Sequence, residues 1–299
     1  VNTVKVPFGF RLPFLTFFLI LAGSVTYACK DFLDIAPQGR LDENTLTNAA
    51  GVEGTLLATY RMLDVVYGSW GAAASNWIWG SVTSDDAYKG SEATDALVQD
   101  IEMYRWTTGA SDDLLDDKWV HTYEGVARAN TTLRRLAAVV EKDPDEISQS
   151  DQDGIRGEAL VLRAHYYFEA WRMWQNIPYY NQNDTDFRKT NVGVAVVDSI
   201  LRDLDQAISL LPATPRNGEV GRVTRWTAKA YKGRVQIYAG DYAGAITTLE
   251  DVRQNGPYAL EPNFYRVWSA FAKYQNGPET ILAYQANHGD LTGRNANYG

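Results

Sequence analysis

Residues 227–254 read TAKAYKGRVQIYAGDYAGAITTLEDVRQ, and this stretch decides the fold class. Two helix-forming segments, 227–239 and 242–254, flank a Gly240-Asp241 link that leaves room only for a tight reversal. Ala230, Gly233 and Ala245 are small enough to let the two helices approach, and Pro257 closes the second. Upstream, residues 194–211 predict another helix, followed by a turn region between Pro212 and Gly221. Residues 155–174 carry Ala159, Leu162, Tyr166, Phe168, Ala170 and Trp171 and close at Asn176, Ile177 and Pro178. Residues 114–140 place Trp119, Tyr123, Val126, Leu133, Leu136 and Val140 at helical spacing, and Asp143-Pro144 ends them. A first helix over residues 46–66 presents Ala49, Val52, Leu56, Tyr60 and Leu63. Residues 68–90 break the pattern: Trp70, Trp77, Trp79 and Tyr88 stand among Gly, Ser, Asn and Asp with no helical period, which predicts a long structured loop. The chain therefore reads as mainly α.

Ala230, Gly233, Tyr238, Gly240-Asp241-Tyr242, Ala245, Leu249 and Pro257 resemble one tetratricopeptide-type unit. The other helices repeat the hairpin organisation without that clean motif, so stacked tetratricopeptide-like hairpins and an ordinary bundle both stay open.

A chain of 299 residues needs neither metal nor disulfide to hold a core. The formal charge of −9 is spread along it, which argues against a nucleic-acid partner, whose affinity comes from clustered Lys and Arg. The 9 Trp and 18 Tyr supply many ring faces with a polar handle, suited to partly apolar, hydroxyl-rich ligands.

The amino terminus reads as an address. Lys5 and Arg11 precede an apolar run over residues 12–23, too short for a membrane span but right for an export signal. Ser24, Val25, Thr26, Tyr27 and Ala28 then lead to Cys29, the chain's one cysteine, placed where a thiol becomes the lipidated start of a bacterial lipoprotein, although Thr26 and Tyr27 depart from the small or Leu-type residues usual there. This divides the chain into a signal peptide (1–28), a lipidated tether (29–45) and a helical domain (46–299).

From Cys29, the string Cys29-Lys30-Asp31-Phe32-Leu33-Asp34-Ile35-Ala36-Pro37-Gln38-Gly39 resembles the mature start of the SusD/RagB family of Bacteroidetes outer-membrane lipoproteins. The resemblance continues through Ser84-Asp85-Asp86-Ala87, the Trp119, Tyr123 and Asn130 helix, the stretch from Arg163 to Phe168 with Trp171 and Ile177-Pro178, and Gly240-Asp241-Tyr242. It implies a SusD-like fold and a surface subunit, facing the cell exterior, that captures glycans or other nutrients for a SusC-like TonB-dependent transporter. Lys30-Asp31 resembles the family's surface-export signal. Against the family pattern, much of the carboxy-terminal half is absent, as expected either of a fragment or of a naturally shortened chain.

Ligand candidates follow from the ring-rich loop. If residues 77–79 are extended, Trp77 and Trp79 face one side and form a platform for sugar rings; otherwise they anchor the loop to the core. Asp85, Asp86 and Lys89 would bond hydroxyls beside it, or Asp86 would cap a short helix. Trp70, Tyr88 and Trp106 are secondary candidates. Arg163, His165, Tyr166, Tyr167, Trp171 and Trp174 lie at spacings that fit helix packing instead.

Nothing points to catalysis. His121, His165 and His288 are scattered without zinc-ligand spacing, and there is neither a GxSxG elbow nor a GxxxxGK loop. No catalytic residue, metal or cofactor is assigned. The alternatives to a glycan binder are a helical protein-interaction or transporter-lid module and a binder of another nutrient such as a peptide; a continuous apolar patch would favour the protein partner.

Overall fold

The computed structural model describes residues 46–63, 76–84, 86–90, 96–105, 112–269, 271 and 274–285. The export segment, Cys29, Lys30-Asp31, Trp70, Asp85, Trp106 and His288 lie outside them.

Eight α-helices are described. They are α1 (Ala49–Tyr60), α2 (Ala96–Glu102), α3 (Asp112–Lys142), α4 (Gln149–Trp174), α5 (Val196–Leu210), α6 (Arg225–Tyr238), α7 (Tyr242–Asn255) and α8 (Phe264–Val267). Neighbours pack in succession: α1 on α3, α3 on α4, α4 on α5, α5 on α6 and α6 on α7. The mainly α expectation holds, with α4 starting six residues before the apolar period becomes visible.

Local chemistry sets the ends. Asn48 accepts from Gly51 N at the start of α1, Ser148 from Asp151 N at the start of α4, and Asp241 from Gly244 N at the start of α7. Thr224 and Thr227 form a reciprocal capping box on α6. Between α6 and α7 the chain turns at Gly240, whose φ of +80° is a conformation that glycine reaches without cost.

The core runs along α4, most of whose length is buried. Val52 and Leu56 of α1, Val126, Leu136 and Val139 of α3, Ile200 and Leu204 of α5 and Val235 of α6 close around Tyr166, Tyr167 and Phe168. A separate, smaller core joins Ile78, Val82, Val98, Ile101 and Leu114. Its first two members belong to a helical turn, Trp77–Val82, where the sequence predicts loop.

Close approach depends on two glycines. A Cβ on Gly125 would stand 2.5 Å from the Tyr166 ring, and one on Gly233 2.5 Å from Leu249. Gly125→Ala is therefore expected to lower unfolding free energy by about 1–3 kcal/mol, the usual cost of overpacking. Gly54→Ala, on the exposed side of α1 with open space around it, should be neutral or stabilising by up to about 1 kcal/mol. Urea unfolding of both variants checks the contrast, and equal effects would contradict it.

Candidate functional site

The turn that carries the predicted rings is built on an i, i+4 apolar pair. Ile78 and Val82 are buried against α2 and Leu114, and Gly80 N donates to Asn76 O at 2.7 Å. Trp77 is 37% exposed, whereas Trp79 is half-buried at the edge of the small core. Two residues along a helical turn project to roughly opposite sides, so the extended two-ring platform does not form. The helical pitch, favoured because it buries both Ile78 and Val82, overrides the alternation that would have paired the rings. Asp86 is exposed in the bend that follows, no described helix begins at it, and Lys89 is half-buried. Tyr88 is 86% exposed. Tyr104 O–H donates to Thr83 O and ties α2's end back to the turn.

Beneath the turn, α3 and α4 face each other with matched stripes, Lys118, His121, Thr122 and Gly125 against His165, Tyr166 and Glu169. Together with Met62, Leu63 and Asn76, all but Gly125 line a chamber of about 110 Å³. Lys118 is 1% exposed; its Nζ donates to Asn76 Oδ1 at 3.3 Å and lies 3.9 Å from Glu169 Oε2. Arg172 bonds the same carboxylate oxygen at 2.5 Å. Burial pulls the Lys118 ammonium down to about 8, with Glu169 pulling it back up and Arg172 adding to the depression. His165 Nδ1 shares a hydrogen bond with Tyr231 O–H at 2.8 Å. Burial holds both His121 and His165 near 4, helped at His121 by the Lys118 charge. The sequence reading treats these histidines as scattered. The matched 118/121/122/125 and 165/166/169 spacings were the signal that they share a chamber. Among the described residues no group of three His, Cys, Asp or Glu side chains is placed to hold a metal ion.

A larger cleft of about 460 Å³ opens between α1, the start of α4 and residues 216–222. Its charges are spent on one another. Glu158, fully buried, accepts from Tyr60 O–H at 2.8 Å, Arg216 Nε at 2.7 Å and Arg222 Nη1 at 3.0 Å, and Glu53 bonds both arginines. Such a network fixes α1 against α4 and leaves little unspent charge for a ligand. The Arg163 to Trp174 cluster is likewise structural: Arg163 lies between Asp203, Asn130 and Gln182, and Trp174 packs edge-on to Trp119.

A family sequence profile described as "SusD-like_3: Starch-binding associating with outer membrane" matches residues 31–237. A SusD-like protein, P38, of Formosa agariphila is 23% identical over 284 residues, covering 90% of this chain and 52% of the relative. Among solved structures, a laminarin-binding SusD-like protein superposes with a TM-score of 0.64 at 24% identity, over 79% of this chain and 50% of the other. Surface glycan-binding protein A of Bacteroides uniformis superposes with a TM-score of 0.67 at 20% identity, over 78% and 51%. The chain thus spans about half the length of the relatives it matches.

The depressed histidines make a pH test. In the folded chain both stay neutral down to about 4, while unfolded histidine protonates near 6.5. Their contribution is therefore complete above about pH 6.5 and is lost as pH falls from there toward 4, at up to about 1.4 kcal/mol per pH unit for each. Urea unfolding between pH 7 and 5 should show this decline, and His121→Gln should flatten it; an unchanged slope in that variant would contradict the assignment.

Proposed function

Because the chain belongs to the SusD-like family, we propose that it is a non-catalytic surface glycan-binding subunit of an outer-membrane uptake system. The family match over residues 31–237 carries this reading. In it, Cys29 bears the lipid anchor after removal of residues 1–28, and the helix pairs act as a tetratricopeptide-like frame for the ligand-facing stretch of residues 76–90. Trp77 is the principal ring, since it alone of the Trp77/Trp79 pair presents more than a third of its surface. Its face covers the apolar side of a sugar while Asp85, Asp86 and Lys89 bond hydroxyls. Trp79 serves by holding the turn to its small core.

The partner is a SusC-like TonB-dependent transporter. Exposed rings on the far part of the chain support a protein-facing surface: Tyr242 and Ile246 share one face of α7, and Phe264, Tyr265, Trp268 and Phe271 follow along residues 264–271. Exposed apolar groups commonly mark association sites where they cluster. The same observation favours the second reading, a protein-interaction or transporter-lid role in which nutrient contact is secondary.

A glycan screen that includes starch and laminarin, followed by calorimetry, separates the two. Trp77→Ala, in a variant shown to be folded, is expected to weaken binding roughly tenfold to hundredfold, the 1–3 kcal/mol scale of stacking on an aromatic face. Unchanged affinity would remove Trp77 from the site. Firm binding of a peptide with no glycan bound would overturn the substrate class, and turnover of the bound glycan would overturn the non-catalytic reading.

A further inference from the structure

The polar chamber lies along α3 between the residues that this helix gives to the two cores. Leu114 enters the small core, Lys118 stands one turn further on at the seam, and Val126 enters the main core two turns beyond that. We infer that the chamber is a binding site for ordered water, and that this hydrated joint, acting through Asn76, positions the turn that carries Trp77.

The lining sets the chemistry of the guest. Lys118 Nζ and Glu169 Oε2 are 3.9 Å apart, too far for a direct hydrogen bond and the right span for a bridging oxygen. His121 is buried, and its Nδ1 meets no hydrogen-bond partner among the described residues. An interaction with the backbone of Met62 favours an N–H on the other ring nitrogen. In that tautomer a neutral imidazole offers Nδ1 as a bare acceptor, which calls for an O–H donor. An anion would face that lone pair and the Glu169 carboxylate, and a cation would face the Lys118 ammonium. Water satisfies all three, donating to His121 and Glu169 and accepting from Lys118. A volume of about 110 Å³ is ample for ordered water, since about 10–15 Å³ of such space holds one molecule.

The joint is tied to the turn through Asn76. Asn76 directly precedes the turn; its side chain accepts from Lys118 and its carbonyl accepts from Gly80 N. Among the described residues the turn's own core has five buried members, so this bond to a buried cation adds to what holds it in place. Other groups facing the chamber are already engaged: His165 with Tyr231, Tyr166 O–H with Thr59 O, and Thr122 with the carbonyls of Lys118 and Trp119. The effect on glycan affinity rests on the proposed role of Trp77; the joint itself does not.

A high-resolution crystal structure should show ordered water in the chamber within about 2.6–3.2 Å of His121 Nδ1. A chamber collapsed onto side chains, or one that is dry, overturns the proposal. Hydrogen exchange tests the positioning role without a ligand. Asn76→Ala should speed exchange at the Gly80 and Ala87 amides by roughly tenfold or more while the interior of α4 is unchanged. Asn76→Asp, which sets a carboxylate against Lys118, should slow it, and carries the test if the alanine variant fails to fold. In a Lys118→Met background neither substitution should change exchange; equal effects in both backgrounds overturn the joint. Parallel glycan titrations keep the two ideas apart. Trp77→Ala without effect removes the ligand role and leaves the joint standing, whereas Asn76→Ala with native exchange and affinity removes the joint and leaves the ligand role standing.

Discussion

The guanidinium of Arg163 is the constraint on which the helical frame depends. It is buried in the middle of α4, where an unpaired charge is untenable, and the surrounding elements are arranged to satisfy it. Nε and Nη2 meet both oxygens of Asp203 on α5 at 2.7 and 2.6 Å. Nη1 meets Asn130 on α3 at 2.8 Å and Gln182 in the connection after α4 at 2.7 Å. Burial alone would lower its pKa, but the bonds and charge of Asp203 more than reverse this and hold it above its ordinary value. One side chain thereby fixes the register of three helices and a loop, because sliding any of them by a turn would strand a buried donor.

The same logic recurs between one and two turns earlier in α4, where Glu158 joins α1 to residues 216–222 through two arginines. Between these ionic anchors the apolar contacts are continuous. The Trp77–Val82 turn belongs to neither anchor. It sits on its own small core, joined to the frame by Lys118 and Asn76, which is how a rigid frame carries a contact segment that can vary without disturbing the helices.

Much of the frame was legible in the sequence, because helical periodicity, caps and the Gly240-Asp241 link are local signals. Asp143-Pro144 marks the end of α3 and Asn176 to Pro178 the end of α4 to within a residue or two. The structural role of Arg163 and Tyr166 was legible from their spacing on one helix. Their partners were not: Asp203 lies 40 residues from Arg163, and Arg216 lies 58 from Glu158, separations at which no local pattern connects a charge to its counter-charge. Residues 77–79 failed for a related reason. A Trp-Ile-Trp triplet fits either an extended strand or a helical turn, and the choice is made by Val98, Ile101 and Leu114, which arrive from elsewhere to bury Ile78 and Val82. α2 was missed because its seven residues are too few for a period to show.

The central claim is that a frame locked by buried charge presents Trp77 to a sugar, and a crystal structure with a bound oligosaccharide tests it most directly. The account predicts a sugar ring lying over the exposed face of Trp77, with its hydroxyls within hydrogen-bond reach of Asp86 or Lys89 and the helices unmoved. Sugar density in the Arg216 and Arg222 cleft, or along the exposed rings of residues 264–271, with Trp77 bare, would contradict it.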